Sequence, residues 1–119
     1  IIPEKESALI TSESVKSSAG AINYIPICKA KSLKNITQEL KDSGLKIISC
    51  TEKGKKDIYA IKYNGPLCII LGSEKDGISQ NLLDISDVSV KIPMLGRIDS
   101  LNVSTSSAVI LYELVRQNS

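Results

Sequence analysis

Five consecutive apolar residues, Leu67–Leu71 (LCIIL), run without a break into Gly72-Ser73-Glu74-Lys75-Asp76-Gly77. A continuous apolar run of this length is expected of a central parallel strand buried on both faces, and such strands belong to sheets covered by helices. The glycine at the strand's end and the second one five residues on allow backbone conformations closed to other residues. Open α/β sheets hold their ligands at the carboxyl ends of the strands, so this loop is the first place to look for a site. The spacing is not G-x-G-x-x-G, and acidic residues stand between the glycines, which disfavours a dinucleotide fingerprint.

The rest of the chain supplies elements around that strand. Ser12 and Ser14 offer N-caps for a short helix over Val15–Ala21 that ends near Gly20. Tyr24–Ala30 (YIPICKA) reads as a strand, with Pro26 confining it to an edge or a strand start. Ser32–Ser43 carries Leu33, Ile36 and Leu40 at helical spacing ahead of Gly44, which predicts an amphipathic helix with a glycine C-cap. Lys46–Thr51 (KIISCT) is the next strand, and the order strand, helix, strand predicts a right-handed crossover in a parallel sheet. Glu52–Asp57 (EKGKKD) reads as a charged turn with solvated lysines, Ile58–Tyr63 as a short strand or irregular segment, and Asn64-Gly65-Pro66 as a turn.

Beyond the glycine loop, Ser79 caps a short helix through Leu83, and Val88–Ile92 (VSVKI) alternates as a strand that Pro93 stops. A polar loop then leads to Asn102, from which Val103, Ile110, Leu111, Leu114 and Val115 predict one long helix to Gln117. Ser104, Ser107 and Ala108 give that helix a second face of small side chains suited to close packing against the sheet, a partner subunit or a ligand loop. Its apolar residues cover more of the circumference than one sheet face requires, so part of it is expected in a homodimer interface.

Composition narrows the function classes. With 119 residues and 42% hydrophobic residues, the chain is expected to form a single domain over residues 1–119 with a real core. Phe and Trp are absent, so base stacking would fall to Tyr24, Tyr59, Tyr63 or Tyr112, which argues against an aromatic single-strand-binding platform. Fifteen basic against 13 acidic residues is too small a surplus to announce nucleic acid by net charge, so any RNA contact must be local. The chain has no histidine, and Cys28, Cys50 and Cys68 stand singly beside apolar residues; no metal site is expected, and the thiols read as buried and reduced. With neither a signal peptide nor a run of about 18 apolar residues, a cytoplasmic protein with no membrane association is expected.

Three linked segments carry a resemblance. LGSEKDGIS, then KIPM, then SLNVSTSSAVILYE closely resemble the last two signature motifs of the SpoU-type (TrmH-like) RNA ribose 2′-O-methyltransferases of the SPOUT class. Upstream, VKSSAGAINYIPI resembles the family segment before its middle strand, so the likeness covers nearly the whole chain. It implies an α/β fold, a mostly parallel sheet flanked by helices, whose C-terminal part forms a deep trefoil knot. It also implies S-adenosyl-L-methionine as methyl donor, a tRNA or rRNA substrate, and a homodimer completing each site.

Carried onto this chain, the resemblance puts the donor against the backbone around Gly72, Ile92 and Leu101, with Met94 and Gly96 in the loop beneath it. Asn102, Ser100, Glu74 and Ser104 are the polar groups it implies around the ribose hydroxyl. The family's first motif, an asparagine near a glycine followed by an arginine, belongs before the strand whose end is read at Ile1-Ile2, and neither Arg97 nor Arg116 stands in its context. The chain is therefore expected to be the C-terminal part of such an enzyme and, alone, nearly inactive. A rival expectation is a non-catalytic RNA-binding or dimerisation module that retains the fold.

Overall fold

In a computed structural model, which describes residues 1–5, 7 and 9–119, the chain divides into two compact units, Ile1–Ile36 and Thr37–Ser119. The first holds a two-stranded parallel ladder of β1 (Ile2–Pro3) and β2 (Lys29–Ala30). Helix α1 (Ser12–Ser17) begins earlier than the predicted helix, directly after Thr11, whose N–H donates to Ser14 Oγ at 3.3 Å. It ends in a left-handed pair, Ala19 (φ 51°) and Gly20 (φ 81°), with the Gly20 N–H returning to the Val15 carbonyl at 2.8 Å as helix C-caps do.

Two expectations are corrected in this unit. Residues 21–24 form a 3-10 turn, and the predicted strand over Tyr24–Ala30 shrinks to Lys29–Ala30. Pro26 supplies no N–H to a ladder, and the apolar run that suggested a strand is exposed at Tyr24, Ile25 and Ile27. Moreover, among the described residues β2 pairs with β1 and not with β3, so the expected crossover through helix α2 (Leu33–Asp42) between neighbouring strands is not found.

The second unit is built on a four-stranded parallel sheet in the order β4 (Lys56–Asp57), β6 (Val88–Lys91), β3 (Lys46–Cys50), β5 (Leu67–Leu71). The inner strands are β6 and β3, and Ile47, Ile48 and Ser49 of β3 are wholly buried. The LCIIL run, expected at the centre, is an edge strand among the described residues and is half-buried throughout. Strand β4 arises inside the stretch read as a charged turn, because a two-residue edge strand carries no apolar pattern. Of the two readings of Ile58–Tyr63, the irregular one holds: residues 58–60 form a 3-10 turn, and Ile58 and Tyr63 are core residues.

Alternation along the strands gives the sheet two faces. One carries Ile48, Cys50, Val88 and Val90, and against it pack Ile110, Val109 and Leu114 of α4 (Val103–Gln117) with Ile58 and Tyr63. The other carries Ile47 and Ser49 and meets α3 (Gln80–Ile85), whose Leu82 is buried. Ser49 Oγ is hydrogen-bonded to Ser86 Oγ, which donates to the Leu82 carbonyl at 2.7 Å, so the buried hydroxyls are paired as burial demands. Asp87 joins the starts of β3 and β6: its Oδ2 accepts the Ile47 N–H at 2.7 Å, and its Oδ1 faces Lys41 Nζ at 3.4 Å.

Candidate active site at the carboxyl ends of the strands

Parallel pairing brings the carboxyl ends of the strands to one edge of the sheet, where the following loops meet. The loops after β3, β5 and β6, with the first turns of α4, enclose a cavity of about 640 Å³. Its walls are Thr51 to Lys53, then Gly72 to Ile78, then Ile92, Met94 and Asp99 to Leu101, and finally Asn102, Val103 and Ser106 of the helix start.

The loop after β5 is a closed hairpin. Ser73 and Gly77 bridge each other, with the Gly77 N–H on the Ser73 carbonyl at 2.9 Å and the Asp76 N–H on Ser73 Oγ at 3.1 Å. Gly77 takes φ 68° to make the turn. A Cβ on Gly72 would meet the Gly77 backbone at 2.6 Å and the Ile78 nitrogen at 2.8 Å. Glycine at 72 is therefore required by the loop's closure on itself, and a side chain there would break the hairpin before it touched any ligand.

Helix α4 opens at Asn102, whose Oδ1 accepts the Thr105 N–H at 2.8 Å while its backbone carbonyl takes the Ser106 N–H at 2.9 Å. This N-cap commits the amide oxygen of a cavity-lining residue to the helix, and the NH2 group makes no hydrogen bond among the described residues. Ser106 Oγ leans back on the Leu101 carbonyl at 3.4 Å.

Seven of the nine residues named from the sequence line this one cavity: Gly72, Glu74, Ile92, Met94, Ser100, Leu101 and Asn102. Gly96 instead borders a second, neighbouring cavity with Ile92, Pro93 and Met94, and a Cβ there would meet nothing within 4 Å, so no close approach requires a glycine at that position. Ser104 is exposed and lies outside the cavity, which Ser106 lines instead. Thr51, Glu52, Lys53 and Asp99 were missed; the only signal for the first three was their place directly after a buried strand.

Cys50 closes the floor, where burial pushes its thiol up from the usual range and keeps it protonated rather than nucleophilic. Cys28, expected to be buried, is exposed. Among the described residues no group of three metal-ligating side chains gathers, and no helix is long and apolar enough to cross a membrane.

Residues 1–112 match the model of the SpoU rRNA Methylase family. The chain is 35% identical over 117 residues to the 23S rRNA (guanosine-2′-O-)-methyltransferase RlmB of Photobacterium profundum, covering 98% of this chain and 48% of that protein. It thus spans about half the length of the curated relatives it matches. In structure it resembles the SpoU methyltransferase AviRb from Streptomyces viridochromogenes, solved in complex with AdoMet, with a TM-score of 0.87 at 27% identity over 98% of this chain and 49% of that one. The TrmH/SpoU tRNA modifying enzyme of A. aeolicus gives a TM-score of 0.82 at 28% identity over 97% of this chain and 57% of that one. With the family model reaching across residues 1–112, through both compact units and into α4, the chain belongs to the SpoU rRNA Methylase family.

Proposed function

We propose that the protein binds S-adenosyl-L-methionine in the cavity at the strand ends and transfers its methyl group to a ribose 2′-hydroxyl of structured RNA, either tRNA or rRNA. The observation that carries this reading is the convergence of Gly72, Ile92, Leu101 and Asn102, from separate motifs, on one cavity. The lining residues fit the donor. Leu71, Ile92, Met94 and Leu101 offer a half-buried apolar surface for the adenine, and free backbone groups of the loops can answer its edge. Four carboxylates, Glu52, Glu74, Asp76 and Asp99, outnumber Lys53 and Lys75 around the cavity, which suits a ligand bearing a sulfonium and an ammonium.

S-adenosyl-L-methionine, when bound, would supply an electrophilic methyl carbon on a sulfonium whose leaving group is a neutral thioether, so that a ribose hydroxyl could take the methyl group while its proton passes to solvent. The protein's part is alignment and proton handling. Asn102 donates from its NH2 group to a substrate oxygen, held in place by the cap through its carbonyl oxygen. Ser100 and Glu74, on loops facing the same space, are the further groups proposed around the hydroxyl. The reading also carries a trefoil-knotted passage of the chain through the 92–101 region and pairing of two chains; both rest on the likeness of LGSEKDGIS, KIPM and SLNVSTSSAVILYE to the family motifs.

The test uses the native full-length protein with labelled donor and, separately, bulk tRNA and rRNA. Label recovered as 2′-O-methylnucleoside supports the proposal. Label on a base overturns it, and donor binding without transfer to either RNA favours a non-catalytic module.

A further inference from the structure

The cavity walls at 72–78, at Ile92 and Met94, and at 100–106 come from the segments that the sequence motifs mark; Thr51–Lys53 after β3 comes from none of them. We propose that Gly54 is a positioning residue for the donor site, letting the loop after β3 lie flat on β6 so that Thr51, Glu52 and Lys53 close the cavity. The inference rests on the donor reading above.

Gly54 is buried although its neighbours Lys53 and Lys55 are exposed. A Cβ added to it would run into the carbonyl carbon and oxygen of Val90 and the nitrogen of Lys91. These are backbone atoms of β6, which cannot yield as a flexible side chain would. Around that contact the loop is tied down by its own hydrogen bonds. The Thr51 N–H donates to the Val90 carbonyl at 2.9 Å, the Gly54 N–H to the Thr51 carbonyl at 2.9 Å, and the Lys55 N–H to Ser89 Oγ at 3.2 Å. Beyond Lys55 the chain pairs with β6 as β4, Lys56 opposite Val90.

The consequence reaches both sides of the contact. Directly after Lys91 come Ile92 and Met94, which line the cavity from the β6 side. A side chain at 54 must lift the loop off β6 or push β6 itself, and either shift moves a cavity wall. Glu52 then acquires a role of its own. Its carboxylate stands on this pinned loop at the cavity wall, and the ion pairs among the described residues, Lys41–Asp87 and Glu113–Arg116, do not neutralise it. A carboxylate carried on a backbone pinned beside the cavity adds negative potential where a ligand cation would sit. It favours the sulfonium donor over the neutral thioether product.

The experiment measures the affinity of the native full-length protein for S-adenosylmethionine and S-adenosylhomocysteine by calorimetry. Gly54→Ala is expected to weaken donor binding at least tenfold and to raise the donor KM while kcat at saturating donor stays within about threefold. Gly44→Ala is the control: Gly44 has φ +99° with nothing within 4 Å of a Cβ, so this variant strains the end of α2 without touching the cavity, and its donor affinity should equal wild type at a lowered Tm. Glu52→Lys, on an exposed side chain, decides the matter if Gly54→Ala does not fold; it should cut the ratio of donor to product affinity about fivefold or more. Failure of the wild-type protein to bind the donor would overturn the functional reading itself. A wild-type protein that binds it, with a folded Gly54→Ala variant of equal affinity or a Glu52→Lys variant of unchanged ratio, would overturn this inference alone.

Discussion

At the scale of single residues, Asn102 separates two duties that one substitution would confuse. Its Oδ1 caps α4 through the Thr105 N–H at 2.8 Å, a contact worth about 1 kcal/mol to the helix, while its NH2 group, which has no hydrogen-bond partner among the described residues, is the one proposed to meet substrate. Asn102→Asp keeps an acceptor for the cap and loses the donor. It is expected to lower turnover at least tenfold with stability and donor affinity near wild type, whereas Asn102→Ala should lose turnover and also about 1 kcal/mol of stability; urea titration beside a methyl-transfer assay distinguishes the two. The position was legible because asparagine before a helical pattern is an N-cap signal. Ser104 and Ser106 were not separable in the same way: two residues of helix turn a side chain through about 200°, and the sequence does not say which serine faces the loops. Gly72 is needed for a reason the sequence did not give. The glycine signal was correct, but the backbone that approaches it belongs to Gly77 and Ile78, so Gly72→Val is expected to destabilise the hairpin, visible as faster amide exchange over residues 73–78, as well as to remove donor binding.

At the scale of elements, the end of α4 holds the irregular segment after β4 in place. Gln117 accepts the Tyr63 N–H at 3.1 Å and donates to the Ile61 carbonyl at 3.0 Å and to Glu113 at 2.8 Å, and Asn118 donates to the Tyr63 carbonyl at 2.6 Å. Gln117→Ala leaves these groups unpaired beside a buried tyrosine, with an expected cost of about 1–3 kcal/mol in urea unfolding. Glu113 is buried, and the hydrogen bonds from Arg116 and then Gln117 hold its carboxyl at about 2, against an ordinary 4.5. A depressed carboxylate contributes stability that is complete above its unfolded value and is lost as pH falls through the folded one. The urea midpoint of wild type should therefore exceed that of Glu113→Gln at neutral pH, and the gap should close between about pH 4.5 and about pH 2. The bonds from Gln117 and Asn118 to Ile61 and Tyr63 had no signature in the sequence, since they join side chains to backbone groups more than 50 positions away. Elements with strong periodicity were legible: α2, β3, β6 and α4 stand within a residue or so of the expected bounds. The LCIIL run was legible as a strand but not as an edge, because apolar runs report burial by helices above and below as well as by neighbouring strands. Lys56–Asp57 was hidden because its pairing is set by β6 and not by its own side chains.

At the scale of the whole molecule, α4 presents a face that the sheet does not use. Ile110 and Glu113 are buried and Val109 and Leu114 half-buried, while Ser104, Ala108, Leu111, Tyr112 and Val115 are exposed. Ser104, Ala108, Leu111 and Val115 recur at intervals of four, three and four, which aligns them in one stripe along the helix. The stripe grades from small side chains at the cavity end to large apolar ones beyond, with Tyr112 74% exposed beside it. Small residues let a second backbone come close and the larger ones supply area to bury, which is the composition a self-complementary helix contact needs. The protein is therefore expected to form a homodimer through this stripe. Leu111→Glu with Val115→Glu should move the mass found by light scattering from dimer toward monomer while circular dichroism keeps the α/β signature, since neither side chain belongs to the core cluster. Ser104→Leu should weaken pairing too, whereas Ser104→Ala, which keeps the surface small, should leave the mass unchanged and turnover within about twofold. A monomeric wild-type protein at high micromolar concentration would sink the dimer proposal. A large loss of turnover in Ser104→Ala at unchanged mass would instead return that serine to the substrate site.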